Sequence, residues 1–183
     1  VRDDQGFDYL TQFLAAQGYA VLQPNFRGSG GYGLNYLTAG YKGWGKKMQQ
    51  DIYDSIEWLE KQNMVNNNKA CFVGWSYGGY AALTAAFQKP DDFNCIISIA
   101  GLSDLEGMAS RESVYRGGRK EQILQEIGDP SDAAVNKELK SLSAINQLHK
   151  INQAVDQFQY YNRSINPREA YNIYKEGCGS TTW

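Results

Sequence analysis

The residues best placed to do chemistry are Val73-Gly74-Trp75-Ser76-Tyr77-Gly78-Gly79-Tyr80. A short apolar run, Ala70-Cys71-Phe72-Val73, leads into them, and an alanine-rich stretch, Gly78 to Gln88, leads out. The pattern Gly74-x-Ser76-x-Gly78 between a strand and a helix describes a sharp turn with serine at its apex. Such an apex holds a strained backbone, and side chains two positions either side would collide, so glycine is expected at 74 and 78. The Ser76 hydroxyl would then project clear of a sheet edge. The Tyr77 N–H would lie at a helix N-terminus, where it can donate to a developing oxyanion. This is the chemistry of acyl transfer. The bland alternative is a tight turn with an idle serine. The strand before, the helix after and Gly79, suited to close helix–strand packing, favour the chemical reading.

A serine nucleophile needs a base. The chain has one histidine, His149, and nothing in its spacing meets the geometric roles of a base. It reads as a surface or helix-capping residue. The odd count of three cysteines, Cys71, Cys95 and Cys178, suggests neither a disulfide framework nor a zinc site. Cys71 and Cys95 lie in apolar runs and read as buried, inert thiols. No metal or cofactor is expected. Arg27-Gly28-Ser29-Gly30-Gly31-Tyr32-Gly33 lacks the lysine pattern and the helix of a phosphate cradle, and reads as a flexible loop beside the active site.

The elements that must position Ser76 follow from apolar spacing. Leu10, Phe13 and Leu14 predict a helix over 7–17, stopped by Gly18. Tyr19-Ala20-Val21-Leu22 reads as a buried strand. Met48, Ile52, Ile56 and Leu59 share one face of a further helix, and Asn66-Asn67-Asn68 ends it as a turn. Cys95-Ile96-Ile97-Ser98-Ile99 is another strand that is apolar almost throughout. Helices alternating with such strands predict a mostly parallel sheet covered on both faces, an α/β fold. Residues 106–150 read as mostly helical and polar. From about Asn152 onward Gln, Asn, Tyr and Arg dominate, and no apolar run of strand quality is visible. A helix near Pro167 and an Asn162-x-Ser164 glycosylation pattern are the features of that tail.

Composition narrows the function classes. The 183 residues suggest one domain, and 18 basic against 20 acidic side chains give a net charge of −2. No basic excess exists to neutralise phosphates or an anionic membrane, and the tyrosines form no stacking stripe, so neither nucleic acid nor membrane is an expected partner. No run of about 18 apolar residues occurs. No compartment is named by the sequence; the cytoplasm is marginally favoured.

Several motifs together carry a family likeness. Gly74-Trp75-Ser76-Tyr77-Gly78-Gly79-Tyr80 resembles the nucleophile motif of the prolyl oligopeptidase family of serine peptidases, in its acylaminoacyl-peptidase and dipeptidyl-peptidase branches. Gly18-Tyr19-Ala20-Val21-Leu22-Gln23-Pro24-Asn25-Phe26-Arg27-Gly28-Ser29 is similar to that family's strand and following loop. Gly33, Trp44-Gly45, Asp51, Trp58-Leu59, Ala100-Gly101-Leu102-Ser103-Asp104-Leu105 and Ile127-Gly128-Asp129-Pro130 match in order and spacing. The resemblance covers residues 1–151 and leaves 152–183 as a divergent tail. It implies an α/β-hydrolase catalytic domain, incomplete at both ends, whose parent protein carries an N-terminal β-propeller that restricts access to short peptides. It further implies Ser76 as nucleophile, the Tyr77 N–H as one oxyanion donor, and a peptide as substrate.

The likeness breaks where the family's acid and histidine should follow. The expected apolar strand and Gly-Asp turn are replaced by Asn152-Gln153-Ala154-Val155-Asp156-Gln157, with Asp156 as a substitute acid. The strands that would flank Cys95–Ile99 are not evident either, which predicts an exposed apolar edge. A hydrolase acting on esters or lipids, and a catalytically dead chain acting as an interaction module, are the alternatives to a peptidase.

Overall fold

Three parallel strands carry the serine turn in the computed structural model. Strands β1 (Cys71–Trp75), β2 (Cys95–Ile99) and β3 (Ala154–Phe158) stand in the order β1-β2-β3. The register sets Val73 against Ile97 and Ile97 against Asp156. The structure describes residues 2–65, 70–111, 120–152 and 154–158. The predicted Asn66-Asn67-Asn68 turn, the Asn162 acceptor, the helix near Pro167 and Cys178 lie outside them.

The chain divides into two compact units, Val1–Asn66 and Asn67–Trp183. The first holds helices α1 (Tyr9–Ala16), α2 (Leu34–Thr38) and α3 (Lys47–Lys61). Asp8 caps α1 by accepting the Thr11 N–H at 2.7 Å, and Gly18 closes it with φ 88°. On α3, Met48 and Ile52 are buried and Ile56 and Leu59 half-buried, so the periodicity names the inward face correctly. The predicted strand at Tyr19–Leu22 does not form, and Tyr19, Val21 and Leu22 are exposed. A strand exists only through hydrogen bonds to a neighbour, and among the described residues this segment joins no ladder. Leu10 and Phe13 of α1 are exposed as well.

The second unit packs around α4 (Tyr77–Gln88), which connects β1 to β2. Every residue from Gly79 to Phe87 is buried. An alanine-rich helix with no charged face suits that position, because it presents apolar surface all round. Beyond β2 come α5 (Leu105–Ser110), α6 (Lys120–Ile127) and α7 (Ala133–Ser141), then two 3-10 turns. Asp104 and Asp132 cap α5 and α7 through bonds to backbone N–H groups. Buried Ser143 accepts the Leu105 N–H at 2.9 Å and donates to the Leu139 carbonyl at 2.7 Å, which pins α5 to α7.

The stretch after Asn152 does add a strand, so Cys95–Ile99 lies between two neighbours instead of forming an open edge. Asp156 and Gln157 interrupt the run, so no continuous apolar stretch announces the strand; what forms it is pairing with β2, with Val155 buried and Asp156 exposed. Cys71 and Cys95 are not buried free thiols. They are joined as a disulfide across β1 and β2, with Cα atoms 4.7 Å apart. Cys71 is exposed and Cys95 half-buried. Each opens its own strand, so in-register parallel pairing sets them opposite one another.

Candidate active site

Ser76 stands at the single residue between the end of β1 and the start of α4. Its backbone has φ 55° and ψ −113°, a region that L-residues avoid. Two backbone bonds hold it there. The Ser76 N–H donates to the Ile99 carbonyl at 2.9 Å, and the Ser76 carbonyl accepts the Tyr80 N–H at 3.0 Å as the first bond of α4. The residue is exposed, as is Trp75 before it. A strained, solvent-facing serine between strand and helix is the arrangement expected from the spacing of Gly74, Ser76 and Gly78.

Of the glycines expected at the elbow, 74 and 79 are required by space and 78 is not. A Cβ on Gly74 would run into the Gly78 carbonyl, so glycine is required at 74. A Cβ on Gly78 would meet nothing within 4 Å, so space does not require glycine at 78. Gly79 is tight as well, as expected for close helix–strand packing: its Cβ would lie 2.7 Å from Gly101 Cα. Gly101 in turn follows Ala100, which has φ 50° despite its side chain. No residue type or spacing announces that strained alanine.

Tyr77 is the first residue of α4, and N–H groups there point out of the helix end. The partial positive charge of a helix N-terminus favours an anion at this place. The elbow therefore offers an oxygen nucleophile and a donor one residue apart.

The remaining candidates are not brought to it. Ser76 Oγ forms no hydrogen bond to any described residue, His149 included. His149 is exposed in the 3-10 turn Leu148–Lys150, which leads into the start of β3, whereas Ser76 follows the end of β1. Asp156 lies in the middle of β3, exposed and level with Val73. Two ladder spacings and three residues of rise put its Cα about 14 Å from that of Ser76. An acid serving Ser76 would have to stand at the level of the C-terminal end of β1, three residues of rise beyond that of Asp156. Among the described residues no group of three His, Cys, Asp or Glu is placed to hold a metal.

In the first unit, sequence reading missed an ion pair. The Arg27 N–H and Nε both donate to Asp51 Oδ2, at 2.9 and 2.7 Å, and a terminal guanidinium nitrogen meets Oδ1. Burial pushes the Asp51 carboxyl up, but its hydrogen bonds from Arg27 and the guanidinium charge outweigh that and hold it below its ordinary range. The pair anchors the start of the glycine-rich loop to α3. Spacing alone could not have found it, because 24 residues separate the partners.

Residues 5–160 match the description "Prolyl oligopeptidase family". The chain belongs to the prolyl oligopeptidase family. It is 38% identical over 150 residues to dipeptidyl aminopeptidase BIII of Pseudoxanthomonas mexicana, covering 82% of this chain and 22% of that protein. It is 36% identical over 145 residues to dipeptidyl peptidase family member 6 of Caenorhabditis elegans, covering 79% and 20%. The chain thus spans about a fifth of the length of these curated relatives. Among solved structures, an acylaminoacyl peptidase in complex with Z-Gly-Gly-Phe-chloromethyl ketone superposes with a TM-score of 0.79 at 22% identity. The match covers 93% of this chain and 27% of that one. The uncomplexed acylaminoacyl peptidase of Pyrococcus horikoshii gives 0.71 at 20% identity, covering 93% and 33%. These likenesses establish the α/β-hydrolase fold that the family resemblance implied, within the α/β class expected from the alternation of strands and helices.

Proposed function

We propose that Ser76 is the nucleophile of a serine peptidase acting on short peptides, with the Tyr77 N–H as one oxyanion donor. The observation that carries this is the Ser76 backbone, strained at φ 55° and exposed at the C-terminal end of β1. Strain of that kind has a cost of about 1–3 kcal/mol and persists where a function uses it. In the reaction Ser76 Oγ adds to a peptide carbonyl as a base removes its proton. The Tyr77 N–H and the helix end stabilise the tetrahedral oxyanion, the base hands its proton to the amine as it leaves, and a water deprotonated by the same base releases the acyl group as the acid while Ser76 Oγ regains its proton. Peptides rather than lipid esters are supported by the relatives, which are named as dipeptidyl peptidases.

The base and acid are not supplied to Ser76 by the described residues. Without them an oxyanion hole and binding leave a residual enhancement on the order of 10³–10⁴ over water. The parent protein in this reading contributes those groups and a β-propeller that admits only short peptides. The relatives and solved neighbours are several times longer than this chain, which fits a further domain. A fluorophosphonate probe tests the reading. Labelling that disappears in Ser76→Ala supports it. Labelling that persists in that variant, or none in a parent-length protein, refutes it.

A further inference from the structure

We propose that the Cys71–Cys95 disulfide is a thiol-exchange site through which a low-molecular-weight thiol such as glutathione loosens the unit that presents Ser76. The bond joins residues 24 positions apart, so it closes a covalent ring containing β1, Ser76, the whole of α4 and the entry to β2. The two strands are tied at both ends. Cys71 and Cys95 join their starts, and the Ser76 N–H to Ile99 carbonyl bond, at 2.9 Å, joins their finishes. Ser76 and the whole of α4 lie between those ties, and the contact of Gly79 with Gly101 adds a third hold just beyond them. Opening the covalent one frees β1 to separate from β2 at its base, and local opening then reaches Ser76 more readily.

The site is accessible because Cys71 is exposed, and exposed disulfides are the ones that soluble thiols exchange. A glutathione thiolate attacks Cys71 Sγ. The bond between the two protein sulfurs breaks, and Cys95 leaves as a thiolate that takes up a proton. A second glutathione thiolate attacks the glutathione sulfur of the mixed disulfide and releases Cys71 as a thiolate, which is protonated in turn. Two glutathione molecules are oxidised to one glutathione disulfide, and the protein disulfide gains two electrons and two protons. Excess glutathione disulfide reverses each step.

The clamp itself is tested without any activity. The intact protein is treated with glutathione or glutathione disulfide, denatured without further reductant, and its thiols are counted with a maleimide–polyethylene glycol. With three cysteines in the chain, at most one adduct is expected after oxidation, because glutathione disulfide also caps a free Cys178 thiol, three after reduction, and at most one again on reoxidation. Native reduction should lower the melting temperature by roughly 6–12 °C, the loss expected for a loop of this size. Cys71→Ser and Cys95→Ser should match the reduced protein and no longer respond to glutathione. Should either variant fail to fold, reduction of the unmodified chain still gives the answer. Three adducts in the oxidised protein, reduction that proceeds only after unfolding, or an unchanged melting temperature would each overturn the clamp. Its link to Ser76 rests on the proposed function and is read by fluorophosphonate labelling, which should slow at least threefold on reduction. Equal rates in both states refute the link, whereas no labelling in either state refutes the nucleophile and leaves the thiol count to judge the clamp.

Discussion

Gly79 on α4 and Gly101 beyond β2 meet backbone to backbone. A Cβ on Gly79 would lie 2.7 Å from Gly101 Cα and 3.0 Å from the Ile99 carbonyl oxygen. That same carbonyl accepts the Ser76 N–H. The close approach of helix and strand is therefore part of what holds the serine turn in its strained conformation, and it depends on two missing side chains.

Gly79→Ala should destabilise the second unit by about 1–3 kcal/mol, the usual cost of forcing an extra carbon into a packed site. Gly78→Ala is the control, since its Cβ meets nothing within 4 Å. It should be neutral or stabilising by up to about 1 kcal/mol, because alanine is the better helix former. Urea unfolding of the two variants checks the contrast. Equal effects would mean that the contact between Gly79 and Gly101 does not govern the packing.

The strain at Ser76 predicts a trade between stability and chemistry. Ser76→Gly removes a Cβ from a backbone at φ 55°, relieving about 1–3 kcal/mol, against roughly 0.5–1 kcal/mol for the extra freedom of glycine in the unfolded chain. The variant should gain about 1 kcal/mol in denaturant unfolding and lose all labelling by the serine probe. Ser76→Ala keeps the strain and should gain little. A Ser76→Gly protein less stable than the unmodified one would show that the turn is not strained.

What the sequence made legible was local. Gly74, Ser76 and the alanines of α4 fix a strand, a turn and a buried helix within twenty residues, and each follows from its own neighbours. The strand at Ala154–Phe158 was not legible, because Asp156 and Gln157 break its sequence and leave no apolar run. Tyr19–Leu22 failed in the opposite sense. Its apolar residues predicted a strand, but strand formation depends on a hydrogen-bonding neighbour that composition does not reveal. The pairings of Arg27 with Asp51 and Cys71 with Cys95 each span 24 residues and are consequences of the fold. The cysteines left one usable sign, as each opens an apolar run of similar length.

The Arg27–Asp51 pair predicts an acid limb in stability. Asp51 titrates below its ordinary value of 3.8 in the folded protein, chiefly because the bonds and charge of Arg27 overcome its burial. A depressed carboxyl binds fewer protons when folded, so it stabilises above the unfolded value, and that contribution is lost as pH falls through the folded one. Melting temperature should therefore drop below about pH 4. Asp51→Asn should lower stability at pH 7 by about 1 kcal/mol, as for a partly exposed pair, and flatten this limb. An unchanged acid limb in Asp51→Asn would assign it to other carboxylates.

Asp156 gives the sharpest test of where the catalytic acid is not. Its place in β3, level with Val73, sets its Cα about 14 Å from that of Ser76 across the sheet. A carboxylate that oriented a catalytic histidine would be indispensable, and its replacement by the amide reduces such enzymes on the order of 10⁴-fold. Asp156→Asn should instead leave serine-probe labelling within about twofold of the unmodified protein. Its unfolding free energy should move by no more than about 0.5 kcal/mol, as for an ordinary exposed substitution. A collapse of labelling at unchanged stability would show that Asp156 reaches the nucleophile in solution, and the register of β3 against β2 would then have to slip by several residues for the two to meet.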